Sequence, residues 1–248
     1  MIKVLLSGHR GRAGSAVASA LNAAADVDYV GGCGREDDLA ERLAERRPEV
    51  MVDFSLPGAA LANGKAALAA GAAPLIGTSG LSDAAVAELE AGCAEARVGG
   101  GVIPNFAVGA VVMMWLAEQA AAFFEAAELV ETHDSRKLDA PSGTALATAK
   151  RLAAAGSFSY RRPEKVALPE ARGGELGGVG VHSLRLPGVM AEQEVLFGLA
   201  GQTLTIGHRV YSRDAYGPGV LLAVRQIAAE QRFYRGLEQL LGLSDRRH

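Results

Sequence analysis

The chain has 248 residues, 49% of them hydrophobic and 21% charged, a length and balance that suit a globular protein of one large domain or two modest ones. A formal net charge of −3 excludes a global pull toward nucleic acid or acidic lipid, although a local basic pocket for an anion stays open. Cys33 and Cys93 lie too far apart for a C-x-x-C redox or zinc motif, so no metal site is expected and a reducing cytoplasm is the natural compartment.

The opening MIKVLLSGHRGR reads as a buried strand entering a glycine turn rather than a secretion signal, and no stretch nears the roughly 20 apolar residues of a membrane span. Residues 2–7 are nearly all apolar, as in a parallel strand covered on both faces. A glycine loop over 8–14 and a helix over 15–25 follow. Further strands are expected over 29–33, 49–54, 74–77 and 98–103, with helices around 38–46, 59–70 and 83–96. Strands alternating with helices imply parallel pairing and right-handed crossovers, the doubly wound α/β layout.

After Asn105 the rhythm changes. A long helix over 108–126, a strand over 128–132, a loop, and a helix over 142–154 are expected. Residues 157–178 read as an extended loop. Three strand-like runs, 182–186, 192–197 and 203–208, have the spacing of an antiparallel meander. A last helix over 219–241 is expected to return to the first domain.

Gly8-His9-Arg10-Gly11-Arg12-Ala13-Gly14 sits at the first strand-to-helix turn. There the backbone must turn sharply and let a helix N-terminus point free N–H groups at a pyrophosphate. Glycines at 8, 11 and 14 permit this, although the G-x-x-G-x-x-G spacing is looser than the usual dinucleotide fingerprint, and a plain glycine turn is the alternative. After the second strand, Arg35 tilts the choice toward NADPH while Glu36 keeps NADH open. Gly77-Thr78-Ser79 and Ile103-Pro104-Asn105-Phe106 end the fourth and fifth strands, on the rim where open parallel sheets bind ligands. Asp53-Phe54-Ser55 ends the third.

The segment THDSRKLDAPSGTA, 132–145, concentrates chemistry. Ser142 caps a helix whose following N–H groups stay free to hold a carboxylate or phosphate. The imidazole of His133 can deliver a proton, and Lys137 can neutralise a carboxylate. Taken one at a time, each has a bland counterpart: an exposed histidine, a solvated lysine, an ordinary cap.

This segment resembles the signature of the dihydrodipicolinate reductase family, usually H-H-x-x-K-x-D-A-P-S-G-T-A. The glycine loop, GTSG, IPNF and HSLRLPG (182–188) match that family in order and approximate spacing. The resemblance implies a Rossmann-like dinucleotide-binding domain of residues 1–106 and 213–248. It also implies an α+β substrate-binding and oligomerisation domain of residues 107–212, with a mixed or antiparallel sheet. It makes His133 the proton donor, Lys137 its catalytic partner, and Gly143 and Thr144 the backbone seat of a substrate carboxylate, beside Ser142. It places Gly8, His9, Arg10, Gly11, Arg12, Ala13, Gly77, Thr78, Ser79, Ile103, Pro104, Asn105 and Phe106 along NADPH or NADH. The reaction implied is hydride transfer to a small cyclic dicarboxylate in lysine and diaminopimelate synthesis, by a homotetramer.

Three positions depart from the family pattern. Asp134 stands where a second, substrate-binding histidine is usual, and a carboxylate there opposes a dianion unless it is protonated, turned away or paired with Arg136. Ala13 replaces a methionine and Ser79 a threonine. His182 and His208 read as structural. Two rivals stay open: another dehydrogenase on the same plan, which in the aldehyde case needs a well-placed thiol, and a nucleotide-binding sensor that has lost catalysis. Hinges are expected near Ala107 and Arg213.

Overall fold

The computed structural model describes residues 1–169 and 171–243. The chain divides into two compact units, Met1–Val108 with the described part of Arg213–His248, and Gly109–Ser212.

The first unit is built on six parallel strands. In chain order its elements are β1 (Ile2–Ser7), α1 (Arg12–Ala23), β2 (Val27–Cys33), α2 (Leu39–Arg46), β3 (Val50–Asp53), α3 (Pro57–Ala69), β4 (Ala73–Ile76), α4 (Asp83–Ala96) and β5 (Gly100–Val102). The sheet order is β11-β5-β4-β3-β1-β2, where β11 is Phe233–Arg235 near the end of the chain. The chain leaves β1 for β2 on one side and returns to β3 on the other, so the strand order reverses between β1 and β3. A crevice opens at the carboxyl ends of strands where that happens. Both faces are apolar. Leu5, Met51, Ile76 and Val102 pack with Leu43, Ala60, Ala67 and Leu89 of α2, α3 and α4. Val4, Leu6, Val52 and Leu75 are buried on the alternate positions.

The closing helix expected over 219–241 is shorter. A turn of 3-10 helix leads into α7 (Gly217–Ala229), which ends where Glu230 turns extended, and β11 and α8 (Leu237–Leu240) follow. Tyr234, 2% exposed, fills the core, and Phe233, Tyr234 and Arg235 pair in parallel with Gly100, Gly101 and Val102. Burying that aromatic on a vacant sheet edge outweighs continued helix, and Gly236 at φ 109° makes the stop.

The second unit holds α5 (Val108–Ala120, whose first residue belongs to the other unit), β6 (Ala126–His133), α6 (Gly143–Ala155), β7 (Gly174–Leu176), β8 (Val179–Arg185), β9 (Ala191–Leu199) and β10 (Gln202–Val210). The helix expected over 108–126 stops early because Phe124 turns extended and stacks on Phe197, with ring centroids 5.1 Å apart. The loop expected over 157–178 contains β7. It joins β8 through Gly177 and Gly178, both at positive φ, a two-residue hairpin turn that the glycine pair permits.

The strand order β10-β9-β6-β8-β7 corrects the expected meander: β9 and β10 form a hairpin, but β6 lies between β8 and β9, parallel to the first and antiparallel to the second. β6 buries alternate residues along its whole length, and a neighbour on each side pairs the backbone groups of both its edges. One face packs under the helices: Ala127, Leu129, Val179, Val181, Val195 and Phe197 cluster with Met113, Met114, Ala117, Ala145, Ala149 and Leu152.

Leu129 is fully buried on the central strand. Leu129→Ala should lower stability by about 3 kcal/mol. Leu204 on the edge strand is 38% exposed, and Leu204→Ala should cost under about 1 kcal/mol. Urea unfolding with an unchanged slope would confirm the contrast.

Candidate active site

In the first unit the glycine loop lies at the strand-order reversal. The Gly8 N–H donates to the Cys33 carbonyl at 2.8 Å and the Phe54 N–H to Ser7 at 3.0 Å, which draws the ends of β1, β2 and β3 together. Gly8 has φ 79°, and a Cβ there would meet the Ser55 nitrogen at 2.8 Å. A Cβ on Gly14 would run into the Gly8 carbonyl. α1 begins without a side-chain cap and without an acid in its first turn, so its leading N–H groups face outward unclaimed among the described residues. A pyrophosphate needs this combination of close backbone, free N–H groups and positive helix end, and so the pyrophosphate of a dinucleotide fits the loop.

The other cofactor candidates divide by burial. Arg10, Arg12, Arg35 and Pro104 are exposed, and His9, Ala13, Gly77, Ser79 and Asn105 are half-buried or exposed. Ile103 and Phe106 are buried, so only their backbone can face a ligand. Thr78 is 7% exposed and its hydroxyl donates to Asp53 at 2.8 Å, so it too offers backbone. His9 lies flat along β2, where a Cβ on Gly32 would displace its ring, and its Nδ1 is buried. The turn after β2 is closed by Asp37, whose carboxylate accepts the Gly34 N–H at 2.7 Å and Arg42 at 3.3 Å, leaving Arg35 and Glu36 at the exposed tip.

Asp53, expected on the ligand-binding rim, takes a structural part there. It is fully buried and accepts from the Ser55 N–H at 3.2 Å, the Ser55 hydroxyl at 2.9 Å, Asn63 at 2.7 Å and Thr78. One carboxylate thereby ties β3, α3 and the turn after β4. A charged residue closing a run of buried apolar ones was the available signal.

In the second unit the site grows from strand register. Side chains alternate along β6, so Ala127, Leu129, Glu131 and His133 share the helix-covered face. Glu131 stands between Ser183 and Gln193, and His133 between Arg185 and Ala191. The apolar core therefore gives way to two polar rows at the strand's end. Glu131, with no exposed surface, accepts from Arg185 Nη2 at 2.9 Å on one oxygen and meets His133 Nδ1 on the other. Burial pushes the Glu131 carboxyl up, but hydrogen bonds from Arg185, Ser183 and His133 outweigh it and leave the group below its ordinary value of 4.5. Gln193 donates to Thr148 at 2.7 Å, and Thr148 to the Thr144 carbonyl at 2.8 Å, which moors the start of α6 to the same face.

The loop from 134 to 142 is pinned at several points. Arg185 also donates to the Asp139 carbonyl at 2.6 Å, and the Leu186 N–H to the His133 carbonyl at 2.9 Å. Lys137 donates to the Asp139 carboxylate at 2.8 Å, and this bond, first among several causes, holds Asp139 below the usual carboxylate range. Asp134 is paired with Arg136: its carboxylate accepts the Arg136 backbone N–H at 3.0 Å and the guanidinium at 2.7 and 3.2 Å. At the start of α6, the Ser142 hydroxyl accepts the Ala145 N–H at 3.1 Å and the Ser142 carbonyl the Leu146 N–H at 3.0 Å. The N–H groups of Gly143 and Thr144 are left free among the described residues, and the Gly143 Cα faces open space. His133, Asp134, Lys137, Ser142, Gly143 and Thr144 thus sit on one strand end, one loop and one helix start.

Neither thiol is placed for nucleophilic chemistry. Cys33 and Cys93 are buried, and burial, with Glu90 nearby, pushes the Cys93 thiol up to about 12.

Sequence models described as dihydrodipicolinate reductase, N-terminus, and dihydrodipicolinate reductase, C-terminus, match residues 2–106 and 109–241. The chain belongs to the dihydrodipicolinate reductase family. It is 42% identical to the 4-hydroxy-tetrahydrodipicolinate reductase of Moorella thermoacetica over 97% of this chain and 98% of that one. It is 39% identical to the enzyme of the same name from Coxiella burnetii over 97% and 99%. Among solved structures, a dipicolinate-bound dihydrodipicolinate reductase from a Paenisporosarcina species superposes with a TM-score of 0.88 at 32% identity, over 96% of this chain and 99% of that one. A probable dehydrogenase from Thermotoga maritima, at 10% identity and a TM-score of 0.66, shares the fold alone. The family resemblance read from the signature segment is borne out, and with it the α/β fold with a Rossmann-like parallel sheet and a second, mixed sheet.

Glu131 and Arg185 carry a stability prediction. An ionised Glu131 stabilises the fold above its ordinary value of 4.5, and that contribution is lost as the pH falls through its depressed folded value. Arg185→Met, which strands the buried carboxylate, should cost about 3 kcal/mol near pH ~7 and much less near pH ~3. Urea unfolding at both pH values measures this, and an equal cost at the two would contradict the pairing.

Proposed function

We propose that this chain reduces 4-hydroxy-tetrahydrodipicolinate to tetrahydrodipicolinate in lysine and diaminopimelate synthesis, with His133 as proton donor and Lys137 as its cationic partner. The observation that carries the reading is the β6–α6 segment, where an imidazole, an ammonium and two free helix N–H groups converge within a dozen residues. A bound reduced nicotinamide would supply the hydride to the ring.

The protein's own groups account for the rest. One substrate carboxylate sits on the free N–H groups of Gly143 and Thr144 at the positive end of α6, with Ser142 shaping the turn. Lys137 neutralises the second carboxylate, exchanging Asp139 for substrate. The substrate's 4-hydroxyl and a ring hydrogen leave as water to give the conjugated dihydrodipicolinate ring. Once that ring takes up hydride, His133 delivers the balancing proton to the carbon next to the one reduced. No acyl or thiohemiacetal intermediate is required, which agrees with two buried thiols and disfavours the aldehyde-type rival.

In the first unit, Gly8, His9, Arg10, Gly11, Arg12 and Ala13 cradle the pyrophosphate. Gly77, Thr78, Ser79, Ile103, Pro104, Asn105 and Phe106 supply mainly backbone to the nicotinamide half. Arg35, exposed beyond β2, favours NADPH over NADH by offering a cation to a 2′-phosphate. Assembly into a homotetramer through the second unit is part of the proposal. The face of its sheet turned away from the helices carries half-exposed Val130, Leu184 and Leu196. Two free buried cysteines suit a reducing cytoplasm.

Substrate made in place from pyruvate and aspartate semialdehyde, with NADPH and NADH run side by side, tests the reading. Oxidation of the nicotinamide should depend on the condensed substrate and run faster with NADPH. A folded protein that binds cofactor but oxidises none would overturn it. Lys137→Ala should lower turnover about 100-fold or more, with cofactor affinity by fluorescence titration nearly unchanged. Asp134→His should lower the KM for the dicarboxylate, and an unchanged or raised KM would mean that the Arg136 pair already removes the repulsion.

A further inference from the structure

We propose that Glu131 is the positioning residue for the proton donor: clamped by Arg185, its buried carboxylate fixes the tautomer and direction of the His133 imidazole, so that Nε2 is the nitrogen presented to substrate. The inference rests on reading His133 as the donor.

A carboxylate on the covered face of a central strand is costly unless its charge is matched and its lone pairs are filled. A glutamine or a serine at position 131 would continue the Ser183–Gln193 row without that cost. Glu131 instead divides its two oxygens, one to Arg185 and one to His133 Nδ1. Held ionised by Arg185, the carboxylate can only accept. Nδ1 must then carry the hydrogen of that contact, which leaves Nε2 as the nitrogen able to gain and give a proton.

The clamp reaches further along the loop. The same Arg185 nitrogen that meets Glu131 donates to the Asp139 carbonyl, and the Asp139 carboxylate holds Lys137. The imidazole and the ammonium are therefore referred to one buried anchor. β6 supplies Glu131 and His133 two residues apart on one face, and β8 supplies Arg185 directly opposite His133. The β6–β8 pairing holds Glu131, His133 and Arg185 through the backbone register, so the ring is oriented before the reaction rather than by it.

Full-length protein labelled with 15N at its five histidines tests this, because ring nitrogen shifts distinguish the two neutral tautomers. Comparison with His133→Asn assigns the signal. Wild type should show His133 as a single Nδ1–H tautomer at alkaline pH, and an Nε2–H form would overturn the proposal whatever the variants do. Glu131→Gln keeps the shape. It should mix the tautomers and lower kcat by about 10- to 100-fold, within the range that a general acid contributes, with the KM for NADPH unchanged. Glu131→Asp should restore the single tautomer and part of the rate. Wild-type turnover in Glu131→Gln, with His133→Asn inactive, would sink the positioning role and leave the acid intact. Wild-type turnover in His133→Asn would instead sink the acid itself. If Glu131→Gln does not fold, the wild-type tautomer alone decides.

Discussion

The register of β6 is the constraint on which the second unit depends. A strand shows alternate residues to alternate faces, so a shift of one position would turn Leu129 to the outer face and Glu131 away from its partners together. Packing and chemistry are thereby specified by one pairing. The neighbours β8 and β9 hold it from both sides, in parallel and antiparallel sense. Along the covered face, rows of valine, leucine and phenylalanine change to Ser183–Glu131–Gln193 and then to Arg185–His133–Ala191. The core's rigidity is passed to the imidazole through a strand too well packed to slide.

The first unit meets a different requirement, close approach of backbone to an anion. Its solution is local glycine plus one deep carboxylate. Gly8 and Gly14 remove the atoms that would block the turn, and Asp53 gathers Ser55, Asn63 and Thr78 around the carboxyl ends of β3 and β4. Four donors on one buried carboxylate restrain the rim without putting a side chain into the ligand's path.

Much of this was legible in the sequence, and the exceptions have physical reasons. The doubly wound half could be read because each buried parallel strand is a short apolar run followed by a glycine or a cap. The signature segment could be read because capping serine, histidine and lysine are contiguous. Strand order in the second unit could not be read: spacing gives antiparallel neighbours by default, whereas β6 enters between β8 and β9 from a distant part of the chain. β11 was hidden in an apparent helix, although Phe233-Tyr234 before Gly236 is a strand-and-turn signal stronger than its alanine-poor helical pattern. Glu131 and Arg185 are 54 residues apart, and only the pairing of their strands makes them a site. The one available hint was a glutamate two positions before the histidine, on a face otherwise apolar.

Asp134, the main departure from the family pattern, is best understood from the charges around it. Three cationic groups in and beside the signature segment each have a carboxylate: Arg185 with Glu131, Arg136 with Asp134, Lys137 with Asp139. These pairs differ in how readily they open. Glu131 has no exposed surface, and breaking its pair would leave an uncompensated buried charge at a cost of about 3–5 kcal/mol. The Lys137–Asp139 pair is 26% and 61% exposed, and such pairs contribute about 0–1 kcal/mol. An incoming carboxylate can therefore take Lys137 from Asp139 at little cost while the Glu131 anchor stays shut. Arg136 is 85% exposed and bidentate on Asp134, and a pair so open to solvent gives way as readily as that of Lys137. The histidine's lost hydrogen bond is not replaced by this pair. On the proposed roles its effect is confined to affinity, because the Glu131–Arg185 pair that meets His133 lies on the inner face of β6 and does not include Asp134.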